Sequence, residues 1–376
     1  MPPADIPPTA DHLRDLDRRL VARVGEITRE ELAARRRLLQ EISPETAGLV
    51  EVLERYLEGG KLLRPRFCFW GGAAALPREP TAAQLEALAR FGAAIELVQA
   101  AALMHDDVID HSPVRRGRPA AHVEAEHAHR AAGLVGSSQE YGVAVAIVLG
   151  DLALSWAEQL AAGVNGGLAG VRRARAEFDA LRTEVMAGQF LDVLHQAGGF
   201  TSSPDAEQAA LSVIRWKTVP YTVLRPVRIG AALMGAEDSE LEALSRWAIE
   251  VGTAFQLRDD LLSVIGDQDE TGKPIGGDIV EGKRTVLLAR TESATDAQGR
   301  ALLERVVGQA AASAEEIRAV HDLMVSTGAV AAVAEDVRRR ATRAREILGA
   351  AELGALGRAG LGALADLATD VESLPA

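Results

Sequence analysis

The chain has 376 residues, 48% hydrophobic and 25% charged, an ordinary composition for a globular protein with a sizeable core. A net charge of −13 argues against a nucleic-acid binder, whose footprint is a basic patch, and a lone cysteine, Cys68, excludes an intrachain disulfide framework. Met1 to Pro8 lack the basic and apolar regions of a signal peptide, and the most continuous apolar run, Val143 to Leu149, is too short to span a bilayer. A cytoplasmic chain with no transmembrane segment and no nucleic-acid partner is therefore expected.

In chain order, residues 1 to about 10 are Pro-rich and read as a disordered tail before a single all-α domain over 11–376. From Asp11 to Ile42, charged residues alternate with Leu, Val and Ala at helical spacing, predicting one or two amphipathic helices that stop and restart at Ser43-Pro44-Glu45. A short helix over Leu49–Leu57 is broken by Gly59-Gly60. The next stretch, Gly60-Lys61-Leu62-Leu63-Arg64-Pro65, sets two cations at a helix start, against the macrodipole. An anion between them would ease that placement, although two exposed cations near a turn account equally for the pattern alone.

Thr81 to Ile109 has strong helical periodicity through Leu85, Leu88, Phe91, Ile95, Val98 and Ala102, and is rich in Ala. It delivers Asp106, Asp107 and Asp110 at its C-terminal end, the unfavourable end for acids. Their spacings put these side chains on one helix face, where like charges repel. Oxygen-only ligands at that density suit a hard cation such as Mg²⁺. A local rule broken in this way tends to mark a functional site. After Pro113 comes a basic loop, Arg115-Arg116-Gly117-Arg118-Pro119, whose arginines could fork onto phosphate oxygens.

His122, His127 and His129 match no metal-ligand spacing and read as exposed helix or loop residues. Tyr141–Leu160 and Ala174–Gln196 read as helices, the second containing Gly188-Gln189-Phe190-Leu191-Asp192. Pro220, in Trp216-Lys217-Thr218-Val219-Pro220-Tyr221, is expected to kink or break a helix. Leu241–Ile265 then delivers a second acidic pair, Asp259-Asp260. Two such pairs suggest a multi-metal clamp on a diphosphate. The Gly-rich stretch from Gly266 to Arg284 carries Lys273 and Lys283 and is either a cover for phosphates or a plain connection. Helical patterns resume at Thr285 and run to about Thr369. Period-2 runs are absent, as are the GxGxxG, Walker A, HExxH and CxxC motifs, so the fold class is all-α.

Taken together, these segments resemble the trans-isoprenyl diphosphate synthases of the polyprenyl synthetase family, in that family's order, over roughly residues 45 to 290. Gly60-Lys61-Leu62-Leu63-Arg64-Pro65 looks like its GGKxLRP, and Asp106 to Asp110 like its first aspartate-rich motif. Arg115-Arg116-Gly117 is similar to its paired arginines, Gly188 to Asp192 to its GQxxD, and Lys217-Thr218 to its KT element. Phe255-Gln256-Leu257-Arg258-Asp259-Asp260 looks like its second aspartate-rich motif. Gly272-Lys273-Pro274 and Gly282-Lys283-Arg284-Thr285 look like its closing loop.

The resemblance implies a single helical bundle of the isoprenoid synthase type around a deep central cavity, usually a homodimer. It implies head-to-tail prenyl transfer, in which isopentenyl diphosphate attacks the carbocation left when an allylic diphosphate ionises, and a proton is then lost. About three Mg²⁺ ions per site are implied, held by Asp106, Asp110 and Asp259 with Asp107 and Asp260 close by. Arg115, Lys217, Lys273 and Lys283 are implied for the allylic diphosphate. Lys61, Arg64, Gln99 and Arg116 are implied for isopentenyl diphosphate, with Thr218 and Gln256 steadying the carbocation or its leaving group. Ser263 departs from the family pattern, standing where many relatives have Asp. In this family the residues four and five before the first Asp wall the cavity floor; here they are Ala102 and Ala101, with Val98 one turn deeper. Small residues there imply a C20 product, geranylgeranyl diphosphate, with longer chains as the alternative. A terpene cyclase would be expected to lack Asp259-Asp260 and to have no need of Lys61 and Arg64, and a non-catalytic regulatory subunit should carry eroded motifs.

Overall fold

A computed structural model describes residues 8–164, 167–198, 205–265 and 276–370. Its helices are α1 (Ala10–Ile42), α2 (Gly48–Leu57), α3 (Leu63–Ala74), α4 (Ala82–Ile109), α5 (Ala121–Ala131), α6 (Ser138–Ala162), α7 (Val171–Gln196), α8 (Ala206–Val213), α9 (Arg225–Leu233) and α10 (Asp238–Ile265). They continue as α11 (Gly277–Glu281), α12 (Val286–Ala294), α13 (Ala297–Val306), α14 (Ala314–Ser326), α15 (Ala329–Ala350) and α16 (Ala355–Thr369). The fold is all-α, as the periodicity predicts. The expected tail lies outside the described residues over 1–7, and α1 starts at Ala10 with the Thr9 hydroxyl accepting the His12 N–H at 3.3 Å.

Two expectations are corrected. The basic loop is a minimal antiparallel ribbon, β1 (Val114–Arg115) with β2 (Arg118–Pro119), turned by Arg116 and Gly117, both at positive φ (51° and 74°). That pair of left-handed residues is what a tight two-residue hairpin requires. Pro220 does not break its helix: α8 widens into two π-helical segments, Ile214–Thr218 and Pro220–Leu224, and runs on as α9. Pro220 stands at the first position of the second segment, where its missing N–H is least damaging.

The chain forms two compact units: residues 1–178, 226–237 and 353–361, and residues 179–225, 238–352 and 362–376. The first is built around α4. A capping box of Thr81 and Gln84 starts that helix, and Leu88, Phe91, Ile95, Leu97 and Met104 bury it against α1, α3 and α6. Phe67, Cys68, Phe69 and Trp70 of α3 are also buried. The α3 and α9 backbones touch, since a Cβ on Gly230 would lie 1.7 Å from the Cys68 carbonyl oxygen.

The second unit is built around α10 packed on α15. One of its buried acids, Asp336, accepts from Arg290 at 3.0 Å and pairs with Arg339 and with Arg340 at 3.4 Å. Arg290 reaches on to Glu207 at 2.7 Å and Arg340 to Glu250 at 3.0 Å, tying α8, α10, α12 and α15 into one ionic network.

Continuous apolar runs understate the apolar helices. Among the described residues, α4 and α6 are each long and apolar enough to cross a membrane by length and composition. They spend that character differently: 78% of the apolar window of α4 is buried within the protein, against 39% for α6.

Candidate active site

In the first unit, one stripe of α4 stays half-open: Glu96, Gln99, Ala102, Leu103, Asp106 and Asp110, at spacings of three and four. Asp106 and Asp110 thus share a face, as their spacing predicts. Val98 and Ala101 are 1% and 0% exposed and belong to the core face, so of the three floor residues only Ala102 lies on the open stripe.

Asp107, grouped with the metal acids by sequence, is turned inward and is 0% exposed. Its carboxylate accepts the Tyr56 hydroxyl at 2.9 Å and both Nε, at 2.8 Å, and Nη2 of Arg115. Tyr56 is fixed in turn, its hydroxyl oxygen accepting the Ala121 N–H at 2.9 Å. Burial first, and then the charge of Asp107, push the Tyr56 phenol well above its ordinary range, so it remains a donor. Asp107 therefore aims Arg115.

Arg116 donates to the Glu58 carbonyl at 2.6 Å and the Tyr56 carbonyl at 3.3 Å, closing the hairpin onto the end of α2. A cavity of about 470 Å³ lies there, lined by Arg55, Tyr56, Leu103, Arg115, Arg116 and Arg118 among others. Leu62 caps α3 in the left-handed region (φ 46°) with no side-chain acceptor, while Arg64 occupies the first turn and Lys61 is exposed just before it. An uncapped helix start flanked by two cations is suited to an anion. Glu96, which the sequence pattern did not single out, lies three residues before Gln99 on the open stripe. Burial pushes its carboxyl above the usual range, and Arg64 and Arg116 pull it back.

In the second unit, Gly188 explains its own motif. A Cβ there would lie 2.4 Å from the Trp216 carbonyl oxygen and 2.5 Å from the Lys217 backbone, so α7 backs directly onto the first π segment. One turn on, Asp192 accepts Lys217 Nζ at 2.6 Å. Thr218 Oγ1 donates to Gln256 Oε1 at 2.8 Å, and the Gln256 amide donates to Asp260 at 2.7 Å. Asp259 is exposed while Asp260 is 7% exposed. Burial, with Asp278 and Asp259 adding to it, pushes the Asp260 carboxyl well above the ordinary carboxylate range. Lys283 lies 2.8 Å from Glu281 and 3.5 Å from Asp278. Lys273 lies outside the described residues.

Among the described residues, no three His, Cys, Asp or Glu side chains form a ready cage for a metal ion. The donors present are carboxylates on open helix faces, Asp106 and Asp110 on α4 and Asp259 on α10. Within the first unit, the Asp106 and Asp110 pair fits Mg²⁺, which takes one or two carboxylates and completes its shell with water and substrate phosphate. Of the three histidines of α5, expected to be exposed, His129 is instead buried at 4% exposure, with Nε2 3.1 Å from the Val135 carbonyl oxygen.

The sequence profile of the polyprenyl synthetase family matches residues 46–324. The geranylgeranyl diphosphate synthase of Sulfolobus acidocaldarius is 30% identical over 273 residues, covering 72% of this chain and 74% of that protein. The nonaprenyl diphosphate synthase of Mycobacterium tuberculosis is 32% identical over 300 residues, covering 79% of each chain. Among solved structures, the geranylgeranyl pyrophosphate synthase of Corynebacterium glutamicum complexed with isoprenyl diphosphate and magnesium aligns with a TM-score of 0.87. It is 34% identical, and the alignment covers 95% of this chain and 99% of that one.

Proposed function

Since the chain belongs to the polyprenyl synthetase family and is thereby a prenyltransferase, we propose that it condenses isopentenyl diphosphate with an allylic diphosphate in a Mg²⁺-dependent reaction that yields geranylgeranyl diphosphate. The observation that carries this reading is the open stripe of α4: two carboxylates one turn apart at its end, the aimed Arg115 beside them, and the small Ala102 one turn below Asp106.

The ionising allylic diphosphate gains negative charge on its leaving oxygens, and fixed positive charge lowers that barrier. Mg²⁺, when bound, supplies Lewis-acid stabilisation of the leaving pyrophosphate. Asp106, Asp110 and Asp259 would hold it through carboxylate oxygens. Arg115, pre-aimed by Asp107, together with Lys217 and Lys283, binds the allylic diphosphate, and Lys273 is assigned there by the family pattern. Lys61, Arg64, Gln99 and Arg116 bind isopentenyl diphosphate, with the start of α3 contributing backbone N–H groups. Thr218, its hydroxyl oriented by Gln256, steadies charge at the reacting carbon.

Product length depends on volume near the acids. The relatives above are named for both geranylgeranyl and nonaprenyl products, so family membership alone leaves the length open. Ala102 on the open stripe leaves room beyond C15, which favours C20. The test is product chromatography after incubation with isopentenyl diphosphate and, separately, C5, C10 and C15 primers. A discrete C20 product is expected, and a product that stops at C15 would refute the reading.

The active assembly is proposed to be a homodimer formed through α6. Tyr141, Ile147 and Val148 leave an apolar stripe of this helix exposed, at 42%, 44% and 50%. Such a face is the kind an obligate partner covers.

A further inference from the structure

We infer that Ser263 is a positioning residue that, through Asp278, fixes the segment carrying Lys283. Ser263 lies in the last turn of α10, half-buried. Its hydroxyl donates to Asp278 Oδ2 at 2.5 Å and lies 3.0 Å from the Asp260 carbonyl oxygen. Its own carbonyl accepts the Gly276 N–H at 2.9 Å. One residue therefore holds the incoming segment by both backbone and side chain.

The held segment is a single helical turn, α11, set between Gly276 and Gly282, both at positive φ (80° and 73°). Asp278 sits at the centre of it. Its carbonyl accepts the Lys283 N–H at 2.9 Å, its Oδ2 takes the Ser263 hydroxyl, and its Oδ1 lies 3.5 Å from Lys283 Nζ. Asp260, Ser263, Asp278 and Lys283 line one small cleft. Where Asp278 approaches the end of α10, Asp259 and Asp260 already supply negative charge. A third carboxylate at position 263 would meet Asp278 at hydrogen-bonding distance with no proton to share, whereas a hydroxyl can donate. The chemistry of the neighbours thus calls for a neutral donor at this position.

The inference rests on the proposed role of Lys283 toward the allylic diphosphate, so its test has an arm that needs no catalysis. In metal-free protein, hydrogen–deuterium exchange reads the amides of residues 276–285. Ser263→Ala is expected to speed their exchange roughly tenfold, the effect of losing a hydrogen bond to a charged acceptor. Ser263→Thr, which keeps the donor, is expected to exchange as the parent protein does. In the elongation assay with Mg²⁺, isopentenyl diphosphate and geranyl diphosphate, Ser263→Ala is expected to raise KM for the allylic substrate about tenfold with the thermal midpoint unmoved. Ser263→Asp is expected to do worse than Ser263→Ala. Unchanged exchange in Ser263→Ala, faster exchange beside an unchanged KM, or full activity in Ser263→Asp would overturn the inference. If the parent protein elongates no primer, the proposed function fails, and the exchange arm still decides whether Ser263 holds the segment.

Discussion

Asp107 takes hydrogen bonds from Tyr56 and from two nitrogens of Arg115 with none of its surface exposed. Removing it would leave a guanidinium whose side chain is only 15% exposed without its carboxylate. Asp107→Ala is therefore expected to cost about 3–5 kcal/mol of stability in urea unfolding followed by tryptophan fluorescence. Tyr56→Phe, which deletes one donor and one acceptor but no charge, is expected to cost about 1–3 kcal/mol. Cys68, fully buried in α3, has its thiol pushed upward by burial alone, so it should resist iodoacetamide in the folded protein and react only after denaturation. At this scale the sequence shows which residue types carry chemistry but not how neighbours divide the work. Asp106, Asp107 and Asp110 are alike in residue type, and the partner that binds the middle one, Tyr56 of α2, is distant in sequence. Glu96 is equally illegible, since the cations facing it, Arg64 and Arg116, are not local.

Helix spacing carried most of the element-level reading. The 3.6-residue period of α4 is local and therefore legible. The π segments and the hairpin are not, because the first depends on what packs against α8 and the second on two residues accepting positive φ. Gly188 connects these levels: its missing side chain lets α7 meet the π segment, and that contact brings Asp192 to Lys217. Gly188→Ala is expected to push the two elements apart, costing about 1–3 kcal/mol by overpacking. It should also lower kcat more than Lys217→Arg does, since it displaces Lys217 and Thr218 together. Steady-state kinetics of the two variants side by side checks this.

In the whole molecule, each unit surrounds one long helix whose C-terminal end carries aspartates, α4 in one and α10 in the other. Both helices are held by apolar burial, and α10 has the Asp336 network beside it in addition. The apolar stripe of α6 has consequences at this scale too. Multi-angle light scattering should give twice the chain mass, and Ile147→Glu with Val148→Glu should shift it to the single-chain mass by burying charge at the contact. Asp106 and Asp259 are proposed to serve one Mg²⁺-dependent prenyl transfer. Incorporation of labelled isopentenyl diphosphate into a C15 primer, with and without Mg²⁺, tests it most directly. Elongation by the parent protein that EDTA abolishes is expected, with a loss in kcat of about a hundredfold or more for Asp106→Asn and for Asp259→Asn. Failure to elongate any primer with Mg²⁺ present, or full-rate elongation by Asp259→Asn, would contradict it.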